Sequence, residues 1–210
     1  MFDKETDWVP PSELPDITDR AEIAIDLETR DPNIKTLGPG WARGDGEIIG
    51  YAVAVDGWKG YLPIGHLGGG NLDKRIVNNW MRKLLASPGD KIMHNAQYDL
   101  GWLKAEGFEV NGNIIDTMVV AALLDENRFS FSLNSVCYDH INKTKSEKDL
   151  VTAAKSFGLD PKAEMWKMPA MFVGEYATAD ADLTLQLWKY FKVQINKEGL
   201  STVFELERDL

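Results

Sequence analysis

The chain lacks the materials for several familiar kinds of site. Its 210 residues include one cysteine, Cys137, and three histidines, which excludes an internal disulfide framework and a zinc cluster of several thiolates. Cys137 reads as a small buried apolar residue of a reducing compartment. No run of about eighteen apolar residues occurs, and the opening MFDKETDWVPPSELPD has no apolar core of signal-peptide type. A soluble, cytoplasmic protein with no membrane partner is therefore expected. An excess of cations is missing too. The net charge of −10 argues against binding nucleic acid by charge alone, since counterion release needs clustered Lys and Arg at the phosphates. It is compatible with a hydrolase that reaches phosphodiesters through divalent cations held on carboxylates.

The chain is 44% hydrophobic and shows no repeat or low-complexity segment, which suits one globular domain with a sizeable core. Residues 1–20, with Pro10, Pro11 and Pro15, read as an extended arm. From Glu22, EIAIDLET reads as a strand, followed by a loop through Asp45. EIIGYAVAV and WKGYLPI, separated by Asp56-Gly57, read as a hairpin. Val77, Trp80, Met81, Leu84 and Leu85 recur at helical spacing before the stop Pro88-Gly89. KIMHN reads as a short strand, Gln97 to Glu106 as a helix ended by Gly107, and Asn113 to Ile115 as another strand. Asp116 is placed to cap a helix TMVVAALLDEN, and FSLNSVCYDHI reads as helical. Gly174 to about Gly199 reads as a long helix with Leu183, Leu187, Tyr190, Phe191 and Val193 on its apolar face. The least legible stretch is 143–170. It carries Lys143, Lys145, Lys148, Lys155, Lys162 and Lys167 against four acids, so it is a candidate edge for a nucleic-acid backbone or simply a solvated surface. Strands leading into alternating helices and strands imply an α/β fold, a mixed sheet covered on both sides.

Three acidic motifs stand out. Asp26-Leu27-Glu28 puts two carboxylates on one face of the opening strand. Buried there without a partner they would be costly, and a bound cation removes that cost. Asn95 and Asp99 are four apart where a strand gives way to a helix, although Asn95 can equally cap that helix. His94 is read as a local hydrogen-bonding residue. Tyr176 and Asp180 are again four apart on the last long helix, so a phenol and a carboxylate project side by side. Asp182 lies on another face and reads as structural.

With these motifs the sequence resembles the DEDDy branch of the DnaQ-like 3′-5′ exonucleases, whose motifs are D-x-E, N-x-x-x-D and Y-x-x-x-D. KIMHNAQYDLGWLKAEG, IIDTM and EYATADADLTLQLW are similar to the proofreading domain of family A DNA polymerases, and the resemblance covers roughly residues 21–192. It implies a ribonuclease H-like, mixed five-stranded sheet whose second strand is antiparallel, flanked by helices. It implies two divalent metal ions, Mg²⁺ or Mn²⁺. Asp26, Glu28 and Asp180 would bind one; Asp26 would also reach the second, and Asp99 would support it through water. Tyr176 would orient the attacking water. Glu175 stands where the other branch carries histidine, which favours the tyrosine branch. Glu28 and the backbone around Thr29 would recognise the 3′-hydroxyl, and Asn95 and Tyr98 the terminal nucleotides. The implied partner is a single-stranded or frayed 3′ end of DNA in a bacterial or viral replication setting. VFELERDL, within 193–210, looks like the start of a connection to a polymerase. The sequence is compatible with a domain of a polymerase and with a free-standing protein of that descent. A ribonuclease D-like exoribonuclease would share the fold and motifs. A catalytically silent scaffold binding nucleic acid or a polymerase is a third reading, against which the full set of acids speaks.

Overall fold

In the computed structural model, which describes residues 6–209, the apolar alternation after Glu22 produces β1 (Glu22–Arg30). The hairpin follows as β2 (Glu47–Val55) and β3 (Trp58–Pro63). It turns at Gly57, whose φ of 86° suits glycine far better than a residue with a Cβ. Between β1 and β2 the chain is not a plain loop. It makes a short helix, α1 (Ile34–Leu37), and a 3₁₀ turn at Gly40–Ala42, and the Gly40 amide donates to Asp31 at 2.9 Å. These turns bury almost nothing apolar, so no periodicity announces them.

Helix α2 (Lys74–Leu85) is capped by Asp73, which accepts from the amides of Arg75 and Ile76. Then come β4 (Asp90–Met93), α3 (Ala96–Ala105), β5 (Ile114–Asp116) and α4 (Thr117–Leu124). Asp116 caps α4 as expected, at 2.8 Å from the Met118 amide. However, α4 stops before the expected DEN, because Asp125 is extended at φ −156°. The lysine-rich stretch holds α6 (Lys148–Ser156) and two 3₁₀ turns, after α5 (Leu133–Ile141). Helices α7 (Gly174–Lys197) and α8 (Ser201–Asp209) complete the chain. Position 193 falls inside α7. Val193, expected on the apolar face, is exposed. The buried row runs Leu183, Leu187, Phe191, Ile195, and position 193 is rotated about 200° from Phe191.

The sheet order is β3-β2-β1-β4-β5, with β2 antiparallel to β1 and β3, and β4 parallel to β1 and β5. This is the mixed five-stranded arrangement flanked by helices. Strand alternation sorts the core into two layers. Ile23, Ile25 and Leu27 pack with α2 and α3, whereas Ala24 faces α7 with Ala52, Ala54 and Tyr61. Asp26 and Glu28 continue the Ala24 side of β1. Each leucine or phenylalanine buried beneath α7 contributes about 1.5–3 kcal/mol, which holds the helix over the acidic end of that face. Residues 6–20 carry no helix or strand, yet they are not a free arm. Trp8 lies 6.0 Å from the Tyr61 ring and Ile17 is buried. Among the described residues no helix is long and apolar enough to cross a membrane.

One cation is entirely internal. The Lys91 ammonium donates to the carbonyls of Ser87, Gly89 and Asn111 at 2.6–2.7 Å, joining the approaches to β4 and β5. Lys91→Met leaves three carbonyls without a donor and should lower stability by about 2–4 kcal/mol in urea unfolding. A loss below about 1 kcal/mol would show that water or a shifted backbone replaces the ammonium.

Candidate active site

β1 and α7 bring three carboxylates together. One oxygen from each of Asp26, Glu28 and Asp180 lies within 4.8 Å of the other two. Opposite the two strand acids, β2 places Ala52 and Gly50. The Tyr61 hydroxyl would lie 2.2 Å from a Cβ at position 50, so the wall beneath Glu28 accepts only glycine. Asp99, on the first turn of α3, is 4% exposed and is not among the three, but it feels the charges of Asp26 and Glu28.

Enclosure of like charges governs the electrostatics. Burial, and then the Asp180 charge, pushes Asp26 up to about 8, while the Lys145 ammonium pulls it back. Glu28 is held well above the usual carboxylate range by burial and then by Asp26 and Asp180. Burial also raises Asp99, helped by Asp26, Glu28 and Asp116. Asp180 is raised by burial and moderated by Lys145 and by the Tyr176 hydroxyl. The Tyr176 phenol is driven far up, by burial and then by Glu28, Asp180 and Asp26. The phenol therefore holds its proton near neutral pH and can offer a hydrogen bond.

Lys145, one of the six lysines read from the sequence as a candidate backbone edge or a solvated surface, turns out to sit inside the site. Its ammonium pairs with both oxygens of Asp180, the two side chains being 7% and 6% exposed. It also lies 3.7 Å from the centre of the Tyr176 ring. A cation thus already stands against the acids. The only sequence signal for it was the local excess of lysine.

The second motif differs from expectation. Asn95 is exposed and left-handed (φ 67°, ψ 53°), makes no capping bond and is outside the helix. The Asp116 carboxylate takes over, accepting from the amides of Asn95 at 3.0 Å and Ala96 at 2.8 Å. One aspartate therefore serves the starts of both α3 and α4, and fixes the turn that presents Asp99. Asn95 and Asp99 accordingly do not share a helical face. His94 is a local bridge, as expected, between Thr117 at 2.9 Å and the Phe131 carbonyl at 2.8 Å. Asp182 is engaged by Lys59 at 2.7 Å and by Gln186. Thr29 and Tyr98 meet each other, hydroxyl to hydroxyl at 2.9 Å, and Tyr98 donates to Asp31 at 3.1 Å. Asp31 joins this network without having been singled out from the sequence.

Oxygen donors alone, enclosed and mutually repelling, suit a hard divalent cation such as Mg²⁺ or Mn²⁺ and not a thiolate-seeking metal. The residues present fit such an ion.

A family model described as 3′-5′ exonuclease matches residues 65–196. The DNA-directed DNA polymerase of Pseudomonas phage M6 is 38% identical over 212 residues, covering 98% of this chain and 32% of the relative. The DNA polymerase DpoZ of Acinetobacter phage SH-Ab 15497 is 27% identical, covering 94% and 30%. The chain thus spans about a third of the length of these relatives. Among solved structures, Brucella melitensis NrnC superposes with a TM-score of 0.65 at 19% identity, covering 92% of this chain and 82% of that one. The catalytic core of RRP6 from Trypanosoma brucei gives 0.59 at 20% identity, covering 90% and 45%. These two likenesses concern the fold. With its sheet order and the match over 65–196, the chain belongs to the 3′-5′ exonuclease family, as a DnaQ-like nuclease related to the proofreading domains of family A DNA polymerases.

Proposed function

We propose that this 3′-5′ exonuclease acts on DNA, removing the 3′-terminal nucleotide as a nucleoside 5′-monophosphate with the help of two divalent metal ions. The observation that carries the reading is the meeting of Asp26, Glu28 and Asp180 within 4.8 Å, with Asp99 and Tyr176 beside them. In this reading Asp26, Glu28 and Asp180 hold one Mg²⁺ or Mn²⁺, and Asp26 with Asp99 supports the second. Such ions, when bound, activate water and neutralise charge at the leaving 3′-oxygen. Tyr176, one turn before Asp180 on α7, orients the attacking water through its retained hydroxyl proton. Glu28 and the Thr29 backbone receive the terminal 3′-hydroxyl. Tyr98, held by Thr29 and Asp31, meets the terminal nucleotide, and the exposed Asn95 side-chain carboxamide does the same. The preference for DNA over RNA is supported by relatives that are named as DNA polymerases. Those relatives also support a polymerase module, linked or associated, as the partner that delivers a single-stranded or frayed 3′ end. Residues 21–192 form the nuclease unit in this reading, with the described residues 6–20 laid against it and the helical stretch after position 192 leading toward the polymerase.

Digestion of a 5′-labelled single-stranded DNA with Mg²⁺ or Mn²⁺, beside an RNA of the same sequence and an EDTA control, tests the proposal. A ladder shortening from the 3′ end of DNA is expected. Asp26→Asn and Asp180→Asn should each slow it at least about a hundredfold, and Tyr176→Phe about tenfold. Preference for RNA would replace the DNA reading by the ribonuclease D-like one. Unimpaired cleavage by either Asn variant would remove the site assignment.

A second expectation concerns stability without metal. The folded carboxylates hold protons that the unfolded chain has released, so ν_U is smaller than ν_N and stability falls as pH rises toward the folded values. The histidines His66, His94 and His140 are pushed down from 6.5 by burial and act in the opposite sense below that pH. The buried Lys91, lowered to about 8 by desolvation, also acts in the opposite sense as it loses its proton. The window in which the carboxylates dominate therefore runs from pH 6.5 to about 7.5, bounded by the histidines below and Lys91 above. Metal-free protein should lose up to about 1.4 kcal/mol per pH unit for each proton released. Mn²⁺ should flatten the curve, and Lys145→Met should steepen it while tightening Mn²⁺ binding. A metal-free curve that rises through this window would contradict the account.

A further inference from the structure

Two residues beyond Glu28, on the same strand, the Arg30 guanidinium lies 5.4 Å from the centre of the Trp166 ring, and the Lys167 ammonium lies 5.2 Å from it. Trp166 sits on the 3₁₀ turn Met165–Lys167, which is firmly anchored. Met165 and Met168 on either side are buried, and the Trp166 carbonyl accepts from the Leu67 amide at 2.9 Å. Trp166 is half-buried. Lys162, on the same segment, bears on the Glu28 carboxylate, and Lys145 reaches Asp180. The lysine-rich stretch thus runs along the rim of the acidic cluster.

We propose that Trp166, flanked by Arg30 and Lys167, is a stacking platform for single-stranded polynucleotide upstream of the terminal nucleotide, with Arg30, Lys162 and Lys167 receiving backbone phosphates. This rests on the exonuclease reading and adds a place for the strand that is retained. The spacing suits it. At about 3.3 Å per strand residue, Arg30 is about 7 Å beyond Glu28 and about 13 Å beyond Asp26. A stacked strand at about 3.4 Å per nucleotide covers that span with two to four nucleotides. The cations are currently answered by carboxylates: Arg30 by Glu47 at 3.1 Å, Lys162 by Glu147 at 3.3 Å, and Lys167 by Glu164. All of these groups except Glu147 and Glu164 are at least 36% exposed. Phosphate oxygens can exchange with such half-open pairs at little cost, while a base stacks on the indole as single-strand binders use aromatic faces.

Anisotropy titrations of the full chain in Ca²⁺, with labelled octathymidylate and dithymidylate, test this. Trp166→Ala should weaken octathymidylate binding about tenfold or more, with the dinucleotide changed much less, and Trp166→Phe should restore most of the loss. Lys167→Gln should lower the salt slope for the octamer by about 0.7. Equal losses for both lengths, or wild-type affinity in Trp166→Ala, would overturn the platform. Length-dependent binding through Trp166 without metal-dependent cleavage would overturn the exonuclease reading and leave the platform standing.

Discussion

Mutual repulsion among enclosed carboxylates is the constraint on which this molecule turns. Asp26 and Glu28 share a strand face, and Asp180 arrives from α7 to within 4.8 Å. A chain assembled for stability alone would not collect such charges, because desolvation and like-charge proximity both oppose their ionisation. The surrounding structure is arranged to enforce the meeting. A helix with an extensive apolar face is pressed on the sheet, glycine and alanine stand opposite the acids, and the Asp116 carboxylate ties the starts of α3 and α4 so that Asp99 is presented at depth. The cost is met by protons, by the Lys145 ammonium, and, in the proposed working state, by divalent ions.

Lys145 gives this arrangement a second character. Its ammonium faces the same Asp180 oxygens that would hold a metal ion in the proposed working state and is backed by the Tyr176 ring. Metal binding at the proposed site would thus be coupled to the position of the segment around Lys145 through one carboxylate. The cations farther along, at Lys162, Arg30 and Lys167, are each paired to an acid, and Lys162 also bears on Glu28. A strongly acidic chain in this way carries, beside the cluster, cations whose carboxylate partners a phosphate backbone would displace in the proposed complex.

Much of this could be read from the sequence. Alternation in EIAIDLET, the Asp56-Gly57 turn, the apolar spacing of α2 and the Asp116 cap each reflect local rules, and each appears in the structure. The acidic motifs were legible because their spacing puts paired groups on one strand face and one helix face. Other features depended on contacts distant in sequence. Asn95 has the composition of a cap, but the capping role is filled by Asp116, twenty-one residues away. Lys145 could be read from sequence only as part of a lysine-rich edge or a solvated surface, since its partner Asp180 is brought to it by α7. Val193 fits a short helical window, yet over a helix as long as α7 the buried row is set by the sheet beneath and leaves Val193 outside. The turns between β1 and β2 are held by Asp31 and backbone contacts, which leave no periodic trace.

Calorimetric titration of the full chain with Mn²⁺ at pH 7, in two buffers of different ionisation enthalpy, tests the central claim most directly. With Asp26 pushed up to about 8, a cation entering the cluster must displace protons. The account predicts Mn²⁺ binding with proton release, diminished in Asp26→Asn and nearly abolished in Asp180→Asn. Binding without proton release, or binding that is indifferent to both substitutions, would mean that the cluster is not where the cation goes.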